Sequence, residues 1–246
     1  INLSTINQTA ETSALVIQNG QGNTSLINQD GDSVAPFDNG LNFAAEVRQL
    51  GDDSISRITQ NGTGNEASLT QEAGSFDNES TIVQTGTNSF ADVQQGGSEN
   101  LSDINQFGVN SKAVVTQTGT DGESRVTQGG TGNSADVQQS GNGPNLSRVF
   151  QNSFLGGGDN VAEVIQSGGN GNSLVSQQSS NNEAYVEQIG TGGFSEVFQG
   201  DLTSPQGSDN FADVTQTGLN RSFVGQGNGS RNSTTVVQVN DTAGPA

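Results

Sequence analysis

The sequence predicts an all-β protein: a β-solenoid of about ten strand-turn-strand rungs, ~22 residues each, with two facing parallel stacked sheets of the cross-β, amyloid-like kind. Three observations predict this fold. A glutamine returns at a spacing of 11 residues in eleven of nineteen intervals. The residue two before each of these twenty glutamines is always Ile, Val or Leu, and a small residue lies four before. A fixed short period of this kind is typical of repeat architectures.

The glutamine marks one end of each predicted strand. The twenty glutamines are Gln8, Gln18, Gln29, Gln49, Gln60, Gln71, Gln84, Gln95, Gln106, Gln117, Gln128, Gln139, Gln151, Gln166, Gln177, Gln188, Gln199, Gln216, Gln226 and Gln238. The aliphatic residues two positions earlier, which we predict to form the core, include Ile6, Val16, Ile27, Val47, Ile58, Leu69, Val137, Val186 and Val236. Residues two apart share a face only in a β-strand, so both rows are predicted to point inward.

The residue four before each glutamine sets the size of the rung. It is Ser in one strand and Ala in the next, alternating along the chain, with Thr234 in the last strand. This alternation predicts a rung of two strands, a Ser-type strand facing an Ala-type strand. Small side chains there let the two sheets approach closely.

Two further positions of the repeat, two residues after and six residues before each glutamine, predict turns and polar ladders. Gly stands two residues after the glutamine in thirteen of twenty cases, where it favours a tight reversal. Asn stands six before it in twelve of twenty, as at Asn65, Asn133, Asn182 and Asn210. Stacked rungs place identical residues above one another, so we predict amide ladders of Gln over Gln and Asn over Asn.

Composition excludes several classes of protein. Hydrophobic residues make up only 28% of the chain, Cys, His, Met and Trp are absent, and the net charge is -19. A thick globular core, disulfides and thiolate metal sites are therefore excluded, and nucleic-acid binding is disfavoured. The sequence predicts no transmembrane helix, no catalytic residues, no metal and no cofactor. We predict one solenoid domain over residues 1–240 and a short C-terminal tail over 241–246.

Insertions interrupt the period in three equivalent places. Residues 30–42, 152–159 and 200–209 each follow a Ser-type strand and precede an Ala-type strand. We expect them to project from one edge of the solenoid. Slack at a turn explains them more simply than a binding role does.

The repeat pattern holds from Asn2 to Gln238, so the first and last rungs carry the same side chains as the middle ones. A first rung can therefore stack on the last rung of another copy. Such a contact is heterologous and does not close, which predicts a head-to-tail homopolymer, a filament.

The repeat of this chain resembles that of the curlins, the major fibre subunits of bacterial curli, whose repeat is similar to S-x5-Q-x-G-x-x-N-x-A-x3-Q. The segments QNGTGNEASLTQ (60–71) and QGGTGNSADVQQ (128–139) match the second part of that motif in full. QQSSNNEAYVEQ (177–188) lacks only the Gly. The resemblance extends over residues 2–238.

The resemblance implies a secreted functional amyloid that serves biofilm matrix and adhesion as an extracellular fibre on the bacterial cell surface. It also implies two partners, a surface nucleator subunit and an outer-membrane export pore. The chain departs from the family pattern in having ten repeats rather than about five and in carrying Ser four, not six, before the glutamine. The export segment that precedes the repeats in the family is not among these residues, which leaves the export route open.

The alternative hypothesis is a soluble β-solenoid that acts as an adhesin or cation-binding module. Acidic residues recur at the outward position three before the glutamine of Ala-type strands: Glu46, Asp92, Asp136, Glu163 and Asp213. They predict an acidic stripe that could bind cations, although a solvated face that keeps fibres apart explains it more simply. Arg57, Arg125 and Arg148 occupy the same position on the other face. Ice binding is disfavoured because no regular outward Thr array is present.

Overall fold

The computed structural model describes residues 1–9, 12–31, 44–152, 158–200, 208–227 and 229–240. They form twenty β-strands. The strands are β1 (Leu3–Gln8), β2 (Ala14–Gln18), β3 (Thr24–Asp30), β4 (Ala45–Gln49), β5 (Ile55–Asn61), β6 (Glu66–Gln71), β7 (Glu79–Gln84), β8 (Phe90–Gln95), β9 (Leu101–Gln106), β10 (Lys112–Gln117), β11 (Glu123–Gly129), β12 (Ser134–Ser140), β13 (Leu146–Asn152), β14 (Val161–Ser167), β15 (Asn172–Gln177), β16 (Glu183–Ile189), β17 (Phe194–Gln199), β18 (Phe211–Thr217), β19 (Arg221–Gln226) and β20 (Ser233–Val239).

The strands alternate between two 10-stranded parallel sheets. The odd sheet has the order β1-β3-β5 and so on to β19, and the even sheet runs from β2 to β20 in the same way. One odd strand and the following even strand make a rung, as predicted. Equivalent residues pair between rungs: Gln117 lies beside Gln139 where β10 meets β12. The predicted all-β solenoid with two parallel sheets is confirmed.

Burial alternates along the strands as the period-two pattern requires. In β14 the side chains of Ala162, Val164 and Gln166 are buried while the residues between them are half-buried. The inward aliphatic row forms one continuous core between the sheets, with Ile58 and Leu69 both 0% exposed. Burial of this row supplies the apolar part of the stability of the stack.

The turns stack as closely as the strands. A Cβ atom on Gly86 would lie 1.7 Å from the carbonyl oxygen of Gly108 in the next rung. At the same edge, single β-bridges join Thr63 to Thr87, Thr87 to Val109 and Val109 to Thr131. Glycine is therefore required at Gly86 because the neighbouring backbone leaves no room for a side chain.

Most of each insertion lies outside the described residues, at 32–43, 153–157 and 201–207. The prediction that the insertions project from one edge is therefore untested, as is the predicted tail at 241–246. The part of the chain that the structure describes contains no helix able to cross a membrane.

Candidate functional site: the glutamine ladders and the terminal rungs

The glutamines of the odd sheet form an uninterrupted ladder. Each Nε2 amide donates to the Oε1 of the glutamine in the next rung, at distances from 2.8 to 2.9 Å. The members are Gln8, Gln29, Gln60, Gln84, Gln106, Gln128, Gln151, Gln177, Gln199 and Gln226. The ladder has a direction, because every donor points toward the C-terminal rung.

The even sheet carries a second ladder with the same direction. Its donor-to-acceptor distances run from 2.8 to 3.1 Å. The members are Gln18, Gln49, Gln71, Gln95, Gln117, Gln139, Gln166, Gln188, Gln216 and Gln238. The structure therefore brings all twenty predicted glutamines into two rows that span the stack.

Within the described residues, every one of these amides except that of Gln8 also bonds a backbone carbonyl of the facing sheet or of the turn beside it. The Nε2 of Gln117 donates to Gln139 Oε1 at 2.8 Å and also to the backbone carbonyls of Leu101, at 3.0 Å, and Gly122, at 2.9 Å. Leu101 begins β9 and Gly122 immediately precedes β11, and both strands belong to the facing sheet. One side chain thus links neighbouring rungs and facing sheets, and it does so in a buried position, where hydrogen bonds are stronger than in water.

The asparagines form a shorter ladder. Immediately before the even strands, Asn160 donates to Asn133 Oδ1 at 3.1 Å, and Asn182 donates to Asn160 Oδ1 at 3.1 Å. Asn210 and Asn232 continue the row at 2.9 Å per step. These donors point toward the N-terminal rung, opposite to the glutamine ladders. Sequence reasoning had not singled out Asn160 and Asn232, although both lie six before a glutamine.

Asn65 behaves differently from Asn133, Asn182 and Asn210. Its Nδ2 donates to the Gly86 carbonyl at 3.0 Å, and its Oδ1 accepts from the backbone N–H of Ser89 at 3.1 Å. In the next rung the equivalent position holds Ser89, whereas the rungs that follow Asn133 hold Asn at this position. Asn65 therefore satisfies backbone groups in the next rung rather than joining an amide ladder.

The inward serines of the odd sheet have no such partners. Their Oγ atoms are buried without a hydrogen bond to any described residue in nine of the strands. These are Ser25, Ser56, Ser80, Ser102, Ser124, Ser147, Ser173, Ser195 and Ser222. The alternation of Ser and Ala shows where these side chains lie, but the sequence gives no sign that the hydroxyls are unpaired.

Inward side chains become exposed in the terminal rungs. Ile6 in β1 is 40% exposed, whereas Ile27 in the next rung is 0% exposed. Val16 and Val236, in β2 and β20, are only partly buried against the core, while Val47, Val137 and Val186 are buried. Large apolar side chains that point outward, such as Phe223 at 68% and Val237 at 66%, add to the exposed apolar surface of these rungs.

The glutamine ladders end in the same two terminal rungs, and the amide groups at their two ends are complementary. Within the described residues, no donor reaches Oε1 of Gln8 or Gln18. At the other end, Gln238 Nε2 donates only to the Arg221 carbonyl, at 3.0 Å, among described partners. One terminal rung thus presents amide oxygens, and the other presents an amide N–H.

The predicted acidic stripe is interrupted. Ser68, Val114 and Tyr185 share the position of Glu46, Asp92, Asp136, Glu163 and Asp213 in the even sheet. Burial raises the pKa of the Asp92 carboxyl, against hydrogen bonds from Ser68 and Gln94 and the charge of Lys112. Among the described residues no three acidic side chains lie close enough to hold a metal ion.

Two arginines of the odd sheet, Arg57 and Arg125, pair with carboxylates on their own face. Arg57 contacts Glu79 in the next rung, and Arg125 lies 3.0 Å from Glu123 within its own strand. These pairs are solvent-exposed and contribute little to stability.

Comparison with models of known protein families finds similarity in one segment of the chain. Residues 86–119, which run from the turn before β8 to the turn after β10, match the model of the curlin associated repeat. A search of curated proteins finds no match. The matched segment contains Gln95, Gln106 and Gln117, three consecutive glutamines of the two ladders. The comparison thus finds similarity to the curlin associated repeat within one part of the repeat array.

Proposed function

We propose that this chain is the self-assembling structural subunit of an extracellular, curli-like amyloid fibre that serves biofilm matrix and adhesion. Copies join head to tail, and residues 1–240 act as one domain. The observation that carries the proposal is the pair of glutamine ladders, which run into both terminal rungs and leave complementary groups there.

In the proposed junction the β1–β2 rung of one copy stacks on the β19–β20 rung of another. The register found inside the solenoid then places Gln8 beside Gln226 and Ile6 beside Val224 in the odd sheet. Gln18 lies beside Gln238 in the even sheet, where the Nε2 of Gln238 would donate to the Oε1 of Gln18, which accepts no bond from the described residues of its own copy. The junction therefore repeats the contacts of two ordinary rungs and covers the exposed Ile6.

Charge favours this junction over side-by-side association. The chain carries 26 acidic and 7 basic residues, yet β1, β2, β19 and β20 contain no Asp or Glu. Strands such as β8, β12 and β16 place acids on the outer faces of the sheets. The sides of the solenoid repel one another, while the ends approach without that cost.

The proposal includes the partners and location that the family implies. A surface nucleator that presents a similar open rung would start the fibre, because a first junction needs a template with the same spacing. An outer-membrane pore would export the chain, and the fibre would lie outside the cell. The acidic faces give the alternative, a soluble cation-binding module, little support because the stripe is interrupted.

The test is assembly of purified protein followed by light scattering and negative-stain electron microscopy. Wild-type protein should form unbranched fibres that lengthen with concentration. Ile6→Asp places a charge in the junction and should hold the protein as short rods of ~48 Å, ten rungs at the spacing of β-strands. Thr116→Asp adds the same charge to the outer face of β10 and should leave fibre growth intact. Wild-type protein that stays monomeric at every concentration would overturn the proposal.

A further inference from the structure

The two outer faces of the solenoid differ in charge. On the even strands from β12 to β20 the outward charged residues are all acidic: Asp136, Glu163, Glu183, Glu187 and Asp213. On the odd strands from β11 to β19 acids and bases are mixed: Glu123, Arg125, Arg148, Glu196 and Arg221. The repulsion between the sides of two solenoids therefore comes from the even face, and this part of the odd face is nearly neutral.

The same part of the odd face is rich in apolar side chains. The outward apolar residues of these strands are Leu146, Phe150, Leu174, Phe194, Phe198 and Phe223. Phe198 is 37% exposed and Phe223 is 68% exposed, and their ring centroids lie 5.8 Å apart. We call the outward side of β11, β13, β15, β17 and β19 the odd-face patch. A contiguous exposed apolar patch of this kind marks an interaction surface.

Two copies of the odd-face patch complement each other when they meet face to face about a two-fold axis that runs along β15. Such an axis reverses the order of the rungs, so β13 meets β17 and β11 meets β19. The axis keeps the direction of the strands, so each outward position meets the same position of the facing strand. Leu174, at the centre of the patch, then meets Leu174 of the second copy.

The charges of the patch are complementary in this arrangement. Two kinds of opposite-charge contact form, and symmetry makes each of them twice: Arg148 with Glu196, and Glu123 with Arg221. Among the described residues, Arg148 and Glu196 take part in no ion pair within the subunit. An axis on the neighbouring β13 or β17 would instead place Arg148 or Glu196 against itself. Charge therefore selects the axis on β15.

The apolar side chains meet in the same register. The contacts are Leu146 with Phe194, Phe150 with Phe198, and Arg125 with Phe223, the last a guanidinium on an aromatic ring. The even face lacks this match, because an axis on β16 would place Glu163 against Asp213 and Glu187 against itself. The patch measures roughly 24 Å by 20 Å, which lies near the lower end of the range for specific interfaces.

We propose that two subunits pair face to face and antiparallel through the odd-face patch. Pairing of single subunits does not depend on head-to-tail stacking. Pairing of whole fibres rests on the proposed stacking, which repeats the patch along each fibre and so strengthens the association. Along two fibres a second axis falls on β5, where the facing Arg57 side chains each contact Glu79 of their own copy. The glutamine ladders inside each solenoid stay intact.

The experiment is sedimentation velocity at increasing concentration on Ile6→Asp protein, in which the head-to-tail junction is blocked. Rods with an unchanged odd face should form dimers. Arg148→Glu and Glu196→Arg should each weaken dimerisation about tenfold or more, because two opposite-charge contacts become like-charge contacts. The double variant Arg148→Glu/Glu196→Arg restores opposite charges and should recover the dimer. Lys112→Glu makes the same change of charge on the even face and should leave dimerisation unchanged.

Rods that stay single at every concentration would overturn the pairing while leaving head-to-tail stacking in place. A double variant that dimerises no better than either single variant would overturn the antiparallel register, and the proposal with it. Elongation of Ile6→Asp protein into fibres would overturn the stacking instead. The same odd-face variants with Ile6 unchanged give a second measurement by negative-stain electron microscopy. Wild type and the double variant should form fibres in twos and the single variants separate fibres, and equal pairing in all four would overturn the proposal.

Discussion

The glutamine rows and the serine row are both polar and both buried between the sheets, yet only one of them is bonded. Gln139 donates to Gln166 Oε1 at 2.8 Å and accepts from Gln117, whereas Ser124 Oγ in the facing sheet has no partner among described residues. The difference is one of reach. Rungs lie about 4.8 Å apart, which a glutamine amide spans and a serine hydroxyl does not.

This contrast shows what each row contributes. Buried polar groups stabilise a fold only when they are bonded, and an unbonded hydroxyl costs free energy. The glutamines hold rungs and sheets together. The serines serve as small side chains that let the sheets approach, at the expense of unpaired hydroxyls.

The largest expected effect comes from breaking a ladder. Gln139→Leu removes three donated hydrogen bonds, to the Glu123 carbonyl, the Asn145 carbonyl and Gln166, and it removes the acceptor that Gln117 has in the ladder. The free energy of unfolding should fall by about 2–4 kcal/mol, measured by denaturant titration. The matched control is the adjacent outward glutamine: Gln138→Leu should change stability by no more than about 0.5 kcal/mol. Equal losses at both positions would contradict a special role for the ladder.

Forcing rungs apart should have the next largest effect, because ladder bonds depend on the spacing. Gly86→Ala places a methyl group 1.7 Å from the Gly108 carbonyl oxygen, so the backbone must shift. We expect a loss of about 1–3 kcal/mol in the free energy of unfolding. Gly227→Ala is the control, since no atom lies within 4 Å of the added carbon. A neutral Gly86→Ala would show that the turns tolerate wider spacing than the ladders do.

A serine substitution should act in the opposite direction. Ser124→Ala removes a buried hydroxyl that has no partner among described residues, so it should stabilise the fold by up to about 1 kcal/mol. Ser134→Ala, on the outward face of β12, should be close to neutral. Thermal unfolding of the two variants side by side measures the difference. A destabilised Ser124→Ala would mean that the hydroxyl is hydrogen-bonded in solution. The serine row would then resemble the glutamine rows, which would contradict the difference drawn here.

The smallest effect concerns pH and the outer face. Burial raises the pKa of Asp92 above its ordinary value of 3.8, so the folded state binds a proton more readily than the unfolded chain. The resulting penalty is present at neutral pH and disappears as pH falls through the folded pKa toward 3.8. Wild-type protein should therefore gain stability on mild acidification, and Asp92→Asn should reduce that gain. An unchanged pH profile in Asp92→Asn would contradict the assignment.

Much of this organisation can be predicted from the sequence because it depends on period alone. The phase of Val137 and Gln139 specifies a strand and its inward face, and the alternation of Ser and Ala specifies two strands per rung. The hydrogen-bond partners of the asparagines depend instead on which residue lies at the equivalent position in the next rung. Asn133 joins a ladder because Asn160 lies beside it across an insertion, while Asn65 meets Ser89. The state of the serine hydroxyls depends on distances between sheets, which no sequence pattern reports.

The hydrogen bond that Thr234 accepts could not be predicted from the repeat period either. Thr234 reads as a tolerated exception to Ala until the structure places its hydroxyl 3.1 Å from Gln226 Nε2. The contacts of a single residue that departs from the repeat, such as Thr234, can be read only from the structure.

The central claim is that the glutamine ladders continue from one subunit into the next. Cryo-electron microscopy of wild-type fibres tests it most directly, at a resolution that separates strands. We predict β1 of one copy beside β19 of another and β2 beside β20, parallel and in register, with a subunit repeat of ~48 Å and unbroken rows of glutamine density along the fibre. Fibres whose subunits join through their outer faces, or with ladders interrupted at every junction, would contradict it.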